Sequence, residues 1–102
     1  MAGGSLEQLM PMLKALADES RLALMWQLYR EEHTVGDLAQ KVELSEPTVS
    51  HHLAKLREAG LVTLRMAGNQ RFYRANGIGL KRFKQLINEI EQLSPEPERP
   101  AR

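Results

Sequence analysis

The fold of this chain is constrained most by two short helical patterns that follow each other across a tight turn. Thr34 is an N-cap residue for the first pattern and Ser45 for the second, in which Pro47 occupies the first turn. The turn between them is formed by residues 43–45. In such a pair the second helix can enter the major groove of DNA while the first braces it against the backbone. Residues 34–59 are therefore predicted to form a helix-turn-helix.

After the second helix, the period of the apolar residues changes from about 3.6 to about 2. Apolar and polar residues alternate over 62–66, and the Gly-Asn pair at 68–69 is a two-residue hairpin signal. The chain then returns over 70–75. This pattern predicts a β-hairpin over 61–75, which follows the helix-turn-helix in the position of a DNA-binding wing.

Three further helical patterns surround this unit, at 6–16 and 18–31 before it and at 79–93 after it. The predicted fold class is mainly α (α+β). The elements follow in the order helix, helix, helix-turn-helix, β-hairpin and helix, which is the order of a winged helix-turn-helix. We expect one domain over 6–93. The rest of the chain is predicted to be a flexible N-terminus and a disordered Pro-rich tail, at 1–5 and 94–102.

Two helices carry more apolar residues than one small core needs. The helix at 18–31 is apolar over a wide arc, so it is predicted to pack on more than one side, with Trp26 and Tyr29 in the core. The last helix has six apolar positions, which predicts that a partner helix covers part of it. A twofold-symmetric homodimer would present two DNA-reading helices roughly 34 Å apart, one turn of DNA.

Basic residues are concentrated in one stretch of the chain. Residues 55–84 contain eight Lys and Arg and one acidic residue, a net charge of +7, although the whole chain carries only +1. Residues 1–54 have a net charge of −4. A concentrated basic block next to a helix-turn-helix indicates a face that binds a polyanion.

The candidate DNA contacts are the polar and basic side chains of the second helix and the wing. On and before the helix they are Ser45, Glu46, Thr48, Ser50, His51 and Lys55. On the wing they are Arg65, Asn69, Gln70 and Arg71. Hydroxyl groups near a helix start can contact phosphates or base edges, and Asn, Gln and Arg at a wing tip can grip phosphate or enter the minor groove.

The composition excludes several classes of protein. The chain has no cysteine, which removes disulfides, thiolate metal ligands and cysteine nucleophiles. It has no apolar run of about 20 residues and no signal-like N-terminus, so a cytoplasmic protein without a membrane span is predicted. It has no Gly-rich phosphate loop and no nucleophile–base pair, so we predict no enzyme, no catalytic residue and no cofactor.

The three histidines are not predicted to bind a metal ion. His51 and His52 are adjacent on a helix and point roughly 100° apart, so they cannot easily share one ion. His33 stands alone near a loop and is predicted to be solvated.

Three stretches resemble the ArsR/SmtB family of arsenic- and metal-responsive repressors: LADESRL at 16–22, VGDLA at 35–39 and LSEPTVSHHLAKLREAGLV at 44–62. The resemblance covers about residues 6–93. It implies a homodimer built by the first and last helices, which binds a pseudo-palindromic operator on double-stranded DNA through two recognition helices and two wings. It also implies repression that an inducer relieves. The implied interface residues are Leu6, Leu9, Leu13, Phe83, Leu86, Ile87 and Ile90.

The chain departs from the metal-sensing members of that family at both usual metal sites. Some of those members carry a Cys-x-Cys pair near the start of the third helix, where this chain has HTVGD at 33–37. Others use Asp and His ligands on the last helix, and residues 80–93 contain neither. No metal site is therefore predicted, and the effector stays open between an organic molecule, a protein partner and none.

Two alternatives to the DNA-binding repressor stay open at this point. One is a winged-helix module that binds a protein and has no specific affinity for DNA. The other is a metal sensor with a non-standard site made of histidine and carboxylate ligands.

Overall fold

The structure, a computed structural model, describes the backbone of residues 3–93. In chain order its elements are α1 (Gly3–Leu16), α2 (Glu19–Arg30), α3 (Val35–Val42), α4 (Glu46–Glu58), β1 (Val62–Ala67), β2 (Gln70–Ala75) and α5 (Gly77–Leu93). This order confirms the predicted winged helix-turn-helix, with α3 and α4 as the helix pair and the β1–β2 hairpin as the wing. The tail predicted to be disordered, 94–102, lies outside the described residues. None of the helices within 3–93 has the length and apolar character needed to cross a membrane.

Three helices begin at the predicted capping residues. The side chains of Asp18, Thr34 and Ser45 each accept a hydrogen bond from the backbone N–H three residues later, at 3.0, 3.2 and 3.3 Å. Each bond satisfies a backbone donor that has no partner inside the helix. The backbone N–H of Arg21 also lowers the pKa of the Asp18 carboxyl, so this cap is ionised at neutral pH. The caps therefore determine where α2, α3 and α4 start.

The turn between α3 and α4 depends on one left-handed residue. Glu43, the C-cap of α3, has a φ of 57°. The backbone N–H of Leu44 then donates to the carbonyl of Ala39 at 3.1 Å. This closure redirects the chain within three residues, so that α4 begins at Glu46.

Both terminal helices begin earlier than the apolar spacing indicates. α1 starts at Gly3, inside the stretch 1–5 that was predicted to be flexible, and α5 starts at Gly77 rather than at 79. Apolar spacing marks only the turns that meet the core, so it misses the glycines and serine that begin α1 and the Gly77–Ile78 start of α5, where Ile78 is exposed. Pro11 lies inside α1, where it removes one backbone hydrogen bond without ending the helix.

One apolar core joins the five helices and both strands. Its fully buried leucines and valines are Leu9, Leu24, Leu28, Leu38, Val49, Leu53, Leu56, Leu61, Val62 and Leu86. α1 and α5 pack against each other within the chain, and Nε of Arg82 donates to Oε1 of Gln8 at 2.9 Å across this contact. The core therefore holds α4 and the root of the wing on the same body as the two terminal helices.

The prediction that Trp26 and Tyr29 are core residues is wrong. Their side chains are 67% and 73% exposed, and Leu22, one turn before Trp26, is 53% exposed. α2 packs on one side only, along a buried stripe that includes Leu24 and Leu28. The apolar arc of α2 is therefore wider than the part of it that meets the core.

The hairpin has the predicted turn. β1 and β2 are antiparallel with Ala67 opposite Gln70, which leaves two residues for the loop. The first of them, Gly68, has a φ of 62°, in the left-handed region that glycine adopts without steric cost.

A third segment extends the hairpin on its β2 side. The N–H of His33 donates to the carbonyl of Tyr73 at 3.0 Å, and the N–H of Tyr73 donates to the carbonyl of His33 at 2.9 Å. This bridge holds the α2–α3 connection against the wing. It also buries His33, which is only 5% exposed, so the prediction of a solvated histidine is wrong.

The end of α4 meets the start of α5 through a close backbone contact. Asn76 donates from Nδ2 to the carbonyl of Gly60 and from its backbone N–H to the carbonyl of Leu61, both at 2.9 Å. Gly79 lies against the same carbonyl of Gly60, and a Cβ at Gly79 would overlap its oxygen. The contact fixes the root of the wing relative to α5.

Candidate nucleic-acid interface

α4 is anchored on one side and open on the other. Val49, Leu53 and Leu56 hold it to the core with fully buried side chains. The predicted contacts in this region are all exposed: Ser45, Glu46, Thr48, Ser50, His51 and Lys55. Because three of them are spaced by three and four residues, Thr48, His51 and Lys55 follow one another along one face of the helix. The open face of α4 is therefore polar from its start to its last turn.

Ser45 has a structural task at the start of α4. Its Oγ accepts from the backbone N–H of Thr48 at 3.3 Å and donates to Oγ1 of Thr48 at 2.8 Å. Thr48 thus receives a hydrogen bond from Ser45 and keeps its own hydroxyl hydrogen for another acceptor. The pair leaves Thr48 better placed than Ser45 to contact a ligand.

Arg21, which was not predicted to matter, braces α4 from the side of α1. Its side chain is 14% exposed, and it donates from Nε to the carbonyl of Ala15 at 2.5 Å and from Nη2 to that of Lys14 at 3.3 Å. Nη1 lies 3.4 Å from Nδ1 of His52 on α4. The sequence offered one signal for this role: Arg21 stands within the apolar pattern of α2, three positions before Leu24. Arg21 ties the last turn of α1 to the helix that carries the polar face.

The wing does not bring its four predicted contacts together. Asn69, Gln70 and Arg71 are exposed at the tip. Arg65 is engaged elsewhere, because its guanidinium donates to both carboxylate oxygens of Glu32 at 2.7 Å. The tip therefore offers one arginine with two amide side chains, while the arginine on β1 is held by an acidic partner.

The model of the bacterial regulatory protein arsR family matches residues 18–63 of the chain, which include the whole helix-turn-helix. The arsenical resistance operon repressor of Staphylococcus aureus is 37% identical over 86 residues, which are 84% of this chain and 83% of that protein. The chain belongs to the ArsR family.

Two further relatives match most of the chain. The transcriptional activator HlyU of Vibrio cholerae is 37% identical over 79 residues, 78% of this chain and 73% of that protein. A solution structure from Mycobacterium bovis, described as the homodimeric winged helix-turn-helix DNA-binding domain of a possible ArsR-family regulator, has a TM-score of 0.73 at 30% identity and covers 90% of this chain and 91% of that one. In two other regulators the aligned segment spans about half of the relative's length.

α1 and α5 of this ArsR-family chain each keep an apolar stripe at or near the surface. The stripes consist of Leu6, Met10 and Leu13 on α1, and of half-buried Phe83 with exposed Ile87 and Ile90 on α5. Two of the seven predicted interface residues do not belong to them. Leu9 and Leu86 are fully buried inside the chain, because α1 and α5 pack on each other.

The histidines do not form a metal-binding cluster in the described part of this ArsR-family chain, where no three His, Asp or Glu side chains are grouped to hold an ion. The rings of His51 and His52 are tilted, with centroids 6.1 Å apart. Nε2 of His33 lies 3.8 Å from Oε1 of Glu31 and has no hydrogen-bond partner among the described residues.

Proposed function

We propose that this ArsR-family chain is a sequence-specific transcriptional repressor that binds double-stranded DNA as a homodimer. The observation that carries the proposal is the exposed polar face of α4, lined by Thr48, His51 and Lys55, beside a wing tip that carries Arg71. Contacts from α4 to base edges supply the sequence preference, and contacts from the wing to phosphates supply much of the affinity.

The charge distribution supports a polyanionic partner. The segment 55–84, with its net charge of +7, contains the last turn of α4, the whole wing and the first half of α5. Basic side chains that neutralise phosphates release counterions, so the affinity for DNA should fall steeply as the salt concentration rises.

The apolar stripes of α1 and α5 support the homodimer. Exposed apolar side chains that line up on adjacent helices mark a surface that another protein covers. A twofold axis brings identical stripes together and sets two α4 helices roughly 34 Å apart, so the matching operator is pseudo-palindromic. The M. bovis relative, whose domain is described as homodimeric, is consistent with this arrangement.

Repression follows from occupancy, because a dimer on the operator blocks access of the polymerase to the promoter in the cytoplasm. An effector, either a small molecule or a protein, would relieve repression by changing the relative orientation of the two DNA-binding halves. Such a ligand must bind the two orientations with free energies that differ by about 1–3 kcal/mol. No catalytic role is proposed.

The proposal is tested by selecting duplexes from a random pool and measuring their affinity by fluorescence anisotropy. We expect a pseudo-palindromic duplex that binds at least about 1,000-fold more tightly than an unrelated one, with two chains per duplex. Equal affinity for selected and unrelated duplexes, or one chain per duplex, would contradict the proposal.

The Arg71→Ala variant should bind every DNA sequence more weakly, because Arg71 at the wing tip neutralises a phosphate. With two wings per dimer, the slope of log K against log salt should become shallower by about 1.8. A gel-shift series in salt on the selected and an unrelated duplex measures both effects. Arg30→Ala is the matched control, since it removes the same charge from an exposed position at the end of α2. Full affinity of Arg71→Ala would show that the wing tip does not contact DNA.

A further inference from the structure

Arg65 reaches across the wing from one edge to the other. It lies on β1 opposite Phe72 of β2, and its guanidinium carbon is 4.8 Å from the centroid of the Phe72 ring. Beyond the ring its Nε and Nη2 each donate to a different oxygen of Glu32, at 2.7 Å. A forked arginine–carboxylate pair fixes both partners in one geometry, and the aromatic ring holds the guanidinium plane from below. We call this set the Glu32–Arg65–Phe72 clamp.

Glu32, the carboxylate end of the clamp, lies in a segment whose backbone is hydrogen-bonded to β2. Glu32 is followed by His33, whose backbone exchanges two hydrogen bonds with Tyr73 of β2. The next residue, Thr34, is the N-cap of α3, the first helix of the helix-turn-helix. The clamp therefore joins the outer strand of the wing to the segment that starts the DNA-reading unit.

Both partners of the clamp are charged at neutral pH. The hydrogen bond from Arg65 lowers the pKa of the Glu32 carboxyl, and the nearby charge of Arg74 acts in the same direction. The same hydrogen bond raises the pKa of Arg65. To contact a phosphate, Arg65 would first have to leave a partner that already neutralises it.

We propose that Arg65 and Glu32 are positioning residues: together they set the orientation of the wing relative to α4, so that the tip with Arg71 meets the phosphate backbone. This inference rests on the proposed function and assigns Arg65 a role different from the DNA contact predicted from the sequence. It also gives Glu32, an acidic residue in a DNA-binding protein, a reason to be present.

The decisive variant is Glu32→Gln, because the clamp and simple electrostatics predict opposite signs. Removing a negative charge near a polyanion site should raise the affinity for DNA. Loss of the clamp should instead lower the affinity for the selected operator, by about fivefold, with no change in the salt slope. Glu31→Gln is the matched control: Glu31 is exposed, carries the same charge and has no contact with Arg65. This control should bind as tightly as the parent protein or slightly more tightly.

Arg65→Lys separates positioning from phosphate contact. A lysine keeps the charge but lacks the fork, so it cannot hold both oxygens of Glu32. The clamp predicts a loss of affinity similar to that of Glu32→Gln with an unchanged salt slope. A phosphate contact predicts that Arg65→Lys keeps its affinity, and that Arg65→Gln makes the salt slope shallower by about 1.8 per dimer.

A measurement without DNA completes the test. The backbone N–H of Tyr73 is bonded to the carbonyl of His33, so its hydrogen exchange reports how firmly the wing is docked. We expect exchange at Tyr73 to be about fivefold faster in Glu32→Gln than in the parent protein. If the parent protein shows no operator preference, the proposed function fails. The exchange rate of the Tyr73 N–H still shows in that case whether the clamp holds the wing. Unchanged exchange, or operator binding by Glu32→Gln at parental strength or better, would overturn the clamp.

Discussion

Gly79→Ala should destabilise the protein by about 3 kcal/mol or more, a large part of the stability of a domain of this size. A Cβ at Gly79 would overlap the carbonyl oxygen of Gly60. That oxygen cannot easily move, because Asn76 donates to it at 2.9 Å. Gly60 is itself held at a φ of 78°, where few residues other than glycine are comfortable. Relief therefore requires α5 to shift away from the end of α4.

Thermal unfolding followed by circular dichroism at fixed protein concentration measures this effect. The midpoint should fall by roughly 15 °C, given about 4–8 °C per kcal/mol for a domain of this size. Gly77→Ala is the matched control, because it makes the same change two residues earlier on α5, where a Cβ meets nothing within 4 Å. Gly77→Ala should be neutral or stabilising by up to about 1 kcal/mol. Equal midpoints for the two variants would show that the Gly60–Gly79 contact is not tight.

Ile87→Glu should abolish operator binding while leaving the fold of each chain intact. Ile87 is exposed on the α5 stripe, so the substitution creates no buried charge within one chain. In the homodimer each such carboxylate would be buried in the apolar interface without a partner. A single chain grips only one half of the operator, and losing the second half should weaken binding by at least about 100-fold.

Sedimentation gives the oligomeric state of this variant, circular dichroism its helix content, and anisotropy its affinity for the selected operator. Asn88→Glu is the matched control, since it adds the same charge one residue later on the polar side of α5. It should remain a dimer with near-parental affinity. A dimeric Ile87→Glu variant that still binds the operator would place the interface elsewhere on the surface.

The local features of the fold could be predicted because each depends on a few neighbouring residues. Asp18, Thr34 and Ser45 cap their helices as expected, since capping needs only one side chain and the following backbone N–H groups. The Gly-Asn pair at 68–69 forms the predicted turn for the same reason. Because the order of elements was correct, the position of the exposed α4 face and of the wing tip followed from it.

The errors concern residues whose environment is set by distant parts of the chain. Apolar spacing shows that α2 is amphipathic, but it does not show how many neighbouring elements cover the helix. The exposure of Trp26 could therefore not be predicted from it. His33 is buried by a bridge to a strand 40 positions later. Arg65 is paired with Glu32, 33 positions away, a contact that its charge alone could not indicate, and its contact with DNA stays a prediction. Leu9 and Leu86 are buried against the chain's own helices rather than a partner's.

The exposure of Trp26 has a practical consequence for work on this protein. It is the single tryptophan of the chain, and it lies on the outer side of α2 with most of its indole in contact with water. Its emission should therefore be that of a solvated fluorophore in the folded chain as well as in the unfolded one. Intrinsic fluorescence is therefore a poor optical probe of the core, but it is a sensitive one for any molecule that settles on the outer side of α2.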